Sequence, residues 1–147
     1  MTNRKVFDKH SPTKDEKFFI PLPSDALHYI HHDRISADKL FLYALIIDHY
    51  NPDHGYAFPS VERLSVMYGK APDTTSRHLD DLKAAGLIDF PEKGMYVPLV
   101  PQKNEEFYKD NPQAWKNYQT TFKRYEKRKE AAAERMKLWR RENGYSD

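Results

Sequence analysis

The sequence predicts a mainly α-helical protein with a small β-hairpin, two short helices joined by a tight turn, and a long C-terminal helix. Apolar residues recur at helical spacing on both sides of Gly69. Two short apolar runs flank a turn-forming segment at residues 91–94. After Pro112, no further proline or glycine occurs before Gly144, which favours one long helix.

The chain begins with a polar segment. Residues 1–17 lack hydrophobic periodicity and carry five Lys/Arg against three Asp/Glu, which is typical of a flexible arm. The apolar stretch that follows is interrupted by Pro21 and Pro23, so we expect an edge strand or an extended segment over the core. We therefore place the start of the folded domain at residue 18.

A short helix is expected over residues 25–32, with Ser24 as its cap. It contains His28, His31 and His32, whose spacing would suit metal ligands. No convincing set of Asp, Glu or Cys side chains completes a metal site around them. We therefore interpret them as partly exposed surface histidines and predict no metal.

The first main helix is expected at residues 36–50. Ser36 would cap it, and the eight consecutive apolar residues at 40–47 predict burial on most sides. The turn-forming residues 51–55 close this helix, and residues 56–58 then suit a minimal strand.

Residues 59–88, PSVERLSVMYGKAPDTTSRHLDDLKAAGLI, predict two further helices, which we call helix two and helix three. Ser60 suits the N-cap of helix two, and Gly69 suits its end. Pro72 suits the first turn of helix three, and Gly86 its end. Two short helices joined by a glycine-containing turn form a helix-turn-helix. The expected buried faces are Val61, Leu64 and Met67 in helix two, and Thr75, Leu79 and Leu82 with His78 or Ala85 in helix three.

A short hairpin is expected directly after helix three. Residues 87–90 and 95–100 have the composition of two strands, and residues 91–94 supply a tight turn between them. The turn contains one cation, Lys93, so it offers at most one contact to a phosphate.

The spacing of these residues resembles the helix-turn-helix and wing of bacterial winged-helix DNA-binding proteins. It is most similar to the modules of plasmid and phage replication proteins and of small regulators, over roughly residues 18–100. The resemblance implies a winged helix-turn-helix domain at residues 18–101. The residues that carry it are Phe58, Pro59, Ser60, Gly69, Thr74, Arg77, Leu79, Leu82, Ala85, Gly86, Leu87 and Ile88.

The resemblance also implies that the start of helix three enters the major groove of double-stranded DNA. Arg77 is the best candidate for reading a base, because a guanidinium can donate two hydrogen bonds to guanine O6 and N7. Thr74 and Ser76 are expected to bind phosphates or bases. The full set of candidate DNA-binding residues is Lys70, Asp73, Thr74, Ser76, Arg77, Lys93, Lys123, Arg124, Lys127 and Arg128.

Helix three departs from the family pattern in its charge. Asp73, Asp80 and Asp81 lie where basic or polar residues are common, on the face expected to be opposite the buried stripe. Residues 18–101 carry seven Lys/Arg against eleven Asp/Glu, whereas residues 102–147 carry twelve against eight. Because DNA affinity depends on neutralising phosphates, the basic ends are needed for binding. The alternative is a protein-protein interaction module whose acidic helix three docks on a partner protein.

The C-terminal part is expected to be a polar connector at residues 102–111 and a helix at residues 112–143, roughly 48 Å long. Asn111 would cap this helix, and Pro112 would begin it. Apolar residues follow one another at alternating steps of three and four, the a/d pattern of a heptad repeat with one polar member, Lys129. The apolar members are Trp115, Tyr118, Phe122, Tyr125, Ala132, Met136 and Trp139.

Two interpretations of this apolar stripe stay open. Its first half can pack on the core of the same chain, or the whole stripe can form a dimer, which its unbroken spacing favours. Bulky aromatic residues are unusual in a two-stranded parallel coil, so an antiparallel pair or packing on the partner's domain suits them equally. Residues 115–141 carry ten Lys/Arg against three Glu, a charge that suits DNA phosphates or an acidic protein surface.

Several classes of protein are disfavoured. The sequence contains no cysteine, which excludes disulfides and thiolate metal sites. No apolar run approaches the ~20 residues that span a bilayer, and the first residues lack the apolar region of a secretory signal. No phosphate-binding loop, metalloprotease motif or nucleophile elbow occurs, so we predict neither an enzyme nor a cofactor.

The sequence therefore predicts a DNA-binding homodimer in the bacterial cytoplasm. The resemblance implies a role in plasmid or phage replication, partition or transcriptional control, with a replication or transcription protein as a possible further partner. The protein-docking module remains the alternative.

Overall fold

The computed structural model describes residues 20–57, 60–92 and 94–145. The expected arm at residues 1–17 and Lys93 of the hairpin turn lie outside these residues. The described chain is mainly helical, with a small antiparallel hairpin after the helix-turn-helix and a long C-terminal helix, as the sequence predicts. Its elements are a 3₁₀ helix (Ser24–His31), α1 (Ala37–His49), β1 (Tyr50–Asn51), β2 (Tyr56–Ala57), α2 (Val61–Tyr68), α3 (Pro72–Ala84), β3 (Ile88–Asp89), β4 (Val97–Pro98), α4 (Asn104–Asp110) and α5 (Pro112–Glu142).

The first two helices lie where the sequence places them, but both serine caps are wrong. Pro23, not Ser24, occupies the N-cap of the 3₁₀ helix, and no side chain caps it. Ser36 does occupy the N-cap of α1, but its hydroxyl donates to the carboxylate of Asp38 instead of accepting from the helix backbone. The Asp38 carboxylate accepts from the backbone N–H of Lys39 at 3.0 Å, the donor that a capping Ser36 hydroxyl would accept from.

The segment before the 3₁₀ helix agrees with the second of its two expected forms, a segment over the core, whereas the segment after α1 differs from expectation. Residues 20–23 form no strand, and Ile20 packs against the core. A strand that the sequence analysis did not predict, β1, pairs antiparallel with β2. The backbone N–H of Ala57 donates to the carbonyl of Tyr96 at 2.7 Å, so this small hairpin is joined to the second one.

The helix-turn-helix is confirmed in detail. The Ser60 hydroxyl accepts from the backbone N–H of Arg63 at 3.2 Å and so caps α2. Gly69 ends α2 with φ +75°, a conformation that side chains with a Cβ rarely adopt. Thr75, Leu79 and Leu82 of α3 are buried, as the predicted stripe requires.

The wing is shorter than the sequence suggests. β3 and β4 pair antiparallel over two residues each, with Ile88 opposite Pro98. Proline lacks the amide hydrogen that a ladder needs, so Pro91 and Pro98 limit the pairing. The wing is nevertheless tied to α1, because the Tyr43 hydroxyl donates to the carbonyl of Leu99 at 2.6 Å. Burial raises the pKa of Tyr43 to about 12, so the hydroxyl keeps the proton that it donates.

The polar connector contains a helix, α4, that the sequence analysis missed. Its Phe107 is fully buried, and the Phe107 ring lies 4.2 Å from the ring of Tyr29 in the 3₁₀ helix. Asn111 occupies the N-cap position of α5, but its side chain accepts no capping hydrogen bond; its amide donates instead to the carbonyl of Phe107 at 2.9 Å. Pro112 begins α5, as predicted. The division between a domain at residues 18–101 and a separate C-terminal helix stays a prediction.

Helix α5 is 31 residues long, and Ala114 is its buried residue. No helix in the described residues is long and apolar enough to cross a membrane.

Candidate nucleic-acid interface

The outer face of α3 carries the residues expected to read DNA. Asp73, Arg77 and Asp80 are exposed, and their spacing places them on the side of the helix opposite Leu79. The guanidinium of Arg77 donates a hydrogen bond to the Thr74 hydroxyl at 3.1 Å. This contact holds the charged group over the N-terminal half of α3, the part of a recognition helix that meets base edges.

Helix α3 is held on its support by polar contacts as well as by its buried stripe. The Thr75 hydroxyl donates to the carbonyl of Ala71 at 3.0 Å, and the Tyr68 hydroxyl lies 2.9 Å from Nδ1 of His78. Burial raises the pKa of Tyr68 and lowers that of His78, so a neutral imidazole and a protonated hydroxyl share this hydrogen bond. These contacts hold α3, and with it the outer face, in a fixed position against α2.

Asp81 does not share the outer face, contrary to the sequence analysis. Its carboxylate lies 3.0 Å from Nζ of Lys39 and 3.7 Å from a guanidinium nitrogen of Arg34. Both partners precede Asp81 by more than forty residues, and no local pattern in the sequence identifies them. Asp73 and Asp80 are therefore the carboxylates of α3 that remain on its outer face.

Lys70, in the turn between α2 and α3, also has an intramolecular partner. Its ammonium lies 3.4 Å from the Asp38 carboxylate and 5.6 Å from the centre of the Tyr68 ring. The Ser36 hydroxyl, and then Lys70, lower the pKa of Asp38. About a third of the Lys70 side chain is exposed, so the turn still presents part of this cation beside α3.

Four basic residues of α5 lie beyond its buried start. Each of them is exposed, and they lie about 14 to 21 Å further along the helix axis than Ala114. They form an exposed cationic surface on α5. Its members are Lys123, Arg124, Lys127 and Arg128.

The start of α5 packs against the 3₁₀ helix. The Asn117 side chain donates to the carbonyl of His31 and to the carboxylate of Asp33, both at 2.8 Å. The ring of Tyr118 meets that of His31 edge-on, with 5.3 Å between centres. One side of Tyr118 therefore packs on the chain's own core, and the side chain is half-buried.

The remaining apolar stripe of α5 is open to solvent. Trp115 is 43% exposed, Tyr125 57% and Trp139 52%. The aromatic rings from Trp115 to Tyr125 follow one another at 5.5 to 6.0 Å between centres. The structure thus leaves an exposed apolar stripe, interrupted by Lys129, on a helix whose other faces are charged. Its exposed members are Trp115, Phe122, Tyr125, Ala132, Met136 and Trp139.

The histidines of the 3₁₀ helix face aromatic rings of the C-terminal segment. His28 lies 6.0 Å from Tyr108 and His32 lies 6.4 Å from Phe107, measured between ring centres. Burial lowers the pKa of His31 and of His32. Within the described residues, no three His, Cys, Asp or Glu side chains are grouped as metal ligands. The histidines therefore serve as packing groups between the helices.

Comparison with known proteins gives a family match for the central part of the chain. The family described as a helix-turn-helix domain matches residues 33–88, which run from just before α1 to the start of β3. No curated protein matches the chain, and no solved structure matches it. The chain thus carries a helix-turn-helix module, which suggests DNA binding and is typically not enzymatic.

Proposed function

We propose that this protein binds double-stranded DNA as a homodimer, with α3 in the major groove and α5 joining the two copies. The observation that carries the proposal is the Arg77 guanidinium, which lies on the exposed face of α3 and is oriented by Thr74. The match to a helix-turn-helix domain over α1 to α3 supports the same placement.

Base reading depends on the residues around Arg77. Its guanidinium would donate to O6 and N7 of a guanine, and Asp73 would accept from the amino group of a cytosine. Thr74 and Ser76 would bind phosphates or base edges at the rim of the groove. These groups lie on the turns of α3 that enter a groove first.

Phosphate neutralisation would come mainly from residues outside α3, because the carboxylates of Asp73 and Asp80 would repel phosphates at its outer face. Lys70 and Lys93 would contribute beside α3, and the cationic surface of α5 would contribute further along the DNA. Residues 115–141 have a surplus of seven positive charges, from ten Lys/Arg and three Glu. Such a surface raises affinity without reading sequence.

The biological setting follows from the resemblance to replication modules and small regulators. We propose plasmid or phage replication, partition or transcriptional control in the bacterial cytoplasm, with a replication or transcription protein as a further partner. In this arrangement residues 1–17 form an arm, residues 18–101 the reading domain, residues 102–111 the connection, and residues 112–143 the dimer helix.

A second candidate is a protein-protein interaction module whose acidic α3 docks on a partner protein. The exposed carboxylates of Asp73 and Asp80 on either side of Arg77 favour it. This surface would bind a basic patch on another protein and would repel a phosphate backbone.

A salt titration separates the two candidates. Full-length protein is titrated into labelled mixed genomic fragments at 50 and 200 mM salt, with shifted DNA as the readout. A DNA-binding protein that contacts six to ten phosphates loses about 10³–10⁵ in affinity over this range. A variant with Lys123, Arg124, Lys127 and Arg128 changed to Gln should show a flatter dependence. Absence of any complex at 50 mM would contradict the proposal and favour the protein-docking module.

A further inference from the structure

We infer that two copies of α5 pair antiparallel, in a register that seats the C-terminal part of each helix in the groove between α4 and α5 of the other copy. This inference rests on the proposed dimer and assigns its geometry. The groove is thus occupied by a second copy of this chain.

The first argument is the spacing of the apolar stripe. Its steps of three, four, three, four, three, four and three read identically in both directions along the helix. A reversed second copy therefore opposes every member of the stripe with another member. The pairs are Trp115 with the partner's Trp139, Tyr118 with the partner's Met136, Phe122 with the partner's Ala132, and Tyr125 with the partner's Lys129.

The second argument is the chemistry of the pairs. A large ring at Phe122 meets the small side chain of the partner's Ala132, so this layer fills without overcrowding. The polar member of the stripe, Lys129, places its ammonium against the ring of the partner's Tyr125. An ammonium within about 6 Å of an aromatic centre is attracted to the ring face. Lys129 therefore has a favourable position in the middle of the interface.

A parallel pair lacks this complementarity. Each Lys129 would face the same residue of the other copy, and two ammonium groups would meet inside an apolar seam. Like charges at such a distance repel, and the low local polarity strengthens the repulsion. The parallel arrangement would also oppose Ala132 with the partner's Ala132 and leave that layer underfilled.

The third argument is the groove beside the first turns of α5. This open groove has a volume of about 660 Å³ and a mainly apolar lining that includes His28, Tyr108, Trp115 and Tyr118. In the antiparallel register the partner's Met136 and the partner's Trp139 meet the stripe at this groove.

The register also fixes the separation of the two points at which α5 joins the rest of each copy. Trp115 and the partner's Trp115 would lie ~36 Å apart along the helix axis, since each lies opposite Trp139 of the other copy. Half-sites of helix-turn-helix dimers are about 34–36 Å apart, one turn of DNA. The antiparallel pair therefore places its two attachment points one DNA turn apart.

Disulfide trapping tests the register, because the chain has no native cysteine. Full-length Phe122→Cys and Ala132→Cys proteins are mixed, exchanged and oxidised, and the linked peptides are identified by mass. The antiparallel register predicts links between Cys-substituted positions 122 and 132. It predicts no 122-to-122 link, because those positions are ~15 Å apart along the axis and a disulfide needs Cα atoms within about 7 Å. Lys127→Cys, on the opposite face of α5, is the matched control and should not link.

The outcomes separate this inference from the proposed function. Links from 122 to 122 and from 132 to 132 would show a parallel dimer and overturn the register while leaving the dimer. A monomer mass in sedimentation at high concentration would overturn the register and the dimer together. DNA binding by the unmodified protein is measured separately, so its loss or retention reports on the proposed function alone.

Discussion

Lys39 of α1 and Asp81 of α3 form an ion pair, with 3.0 Å between Nζ and Oδ2. Adjacent carboxylates of α3 thus have different surroundings. Asp81 binds cations of its own chain, whereas Asp80 is exposed on the face proposed to meet DNA. Substitution of Asp81 therefore tests stability, and substitution of Asp80 tests DNA binding, as a matched pair of variants.

Asp81→Asn should lower the free energy of unfolding by about 1 kcal/mol, because it leaves partly buried Lys39 without its charged partner. Asp80→Asn should leave stability unchanged and tighten DNA binding roughly threefold to fivefold, since it removes a negative charge near phosphates. Urea unfolding and DNA titration measure the two effects. Equal DNA affinities for Asp80→Asn and the unmodified protein would place Asp80 away from the nucleic acid.

Arg77→Ala should relax sequence preference by about 1–3 kcal/mol at one base pair, because a bidentate contact to guanine is lost. Arg77→Lys is the control, since it keeps the charge but not the planar pair of donors. Competition between a selected site and its single-base variants measures the effect. If the preference is unchanged in Arg77→Ala, Arg77 does not read a base.

Trp139→Asp should dissociate the proposed dimer, with affinity between copies weakened roughly tenfold or more, because a large apolar side chain at the seam becomes a charge. Leu138→Asp is the matched control. Leu138 is also exposed but lies off the stripe, so this change should leave the mass unaltered. Sedimentation measures both, and an unchanged mass for Trp139→Asp would contradict the heptad interpretation.

Phe107→Ala should destabilise the protein by about 3–5 kcal/mol, because it empties a fully buried site against Tyr29. Val100→Ala should change stability little, since Val100 is 91% exposed. Urea unfolding compares the two. A small effect at Phe107 would mean that α4 is not part of the core.

Acid should weaken the contact between the 3₁₀ helix and α5. Burial lowers the pKa of His31, as does the nearby His28, and burial of His32 outweighs the opposite effect of Asp33. The unfolded chain therefore binds protons more readily, so this stability is present above about pH 6.5 and is lost as pH falls below it. Unfolding free energies at pH 7.5 and 5.5 should differ less in His31→Gln/His32→Gln than in the unmodified protein. An equal loss in both proteins would assign the acid sensitivity to other groups.

The sequence predicts well the features that depend on residues close together in the chain, such as helix ends and the buried face of a helix. Ser60 and Gly69 bound α2 through contacts within one helical turn, so their roles are readable without the fold. The buried face of α3 follows from its spacing alone.

The features that the sequence analysis missed depend on distant partners. Phe107 lies in a polar stretch, and its burial depends on Tyr29 more than seventy residues earlier. The ion pair of Asp81 depends on Lys39 in another helix. Ser36 and Asn111 occupy cap positions, but neither side chain accepts from its helix backbone. The Asp38 carboxylate accepts from the backbone N–H of Lys39 in place of Ser36, and the Asn111 amide donates to the carbonyl of Phe107. The short apolar pair Phe107-Tyr108, placed between acidic residues and Pro112, is the one local signal that α4 offered.

The most direct test of the central claim is methylation interference on the DNA that the full-length protein retains at low salt. Methylation at guanine N7 blocks the major-groove edge that Arg77 would bind. We expect interference at one or more guanines per half-site for the unmodified protein and loss of that interference in Arg77→Ala. A retained complex that is indifferent to N7 methylation would contradict the placement of α3 in the major groove.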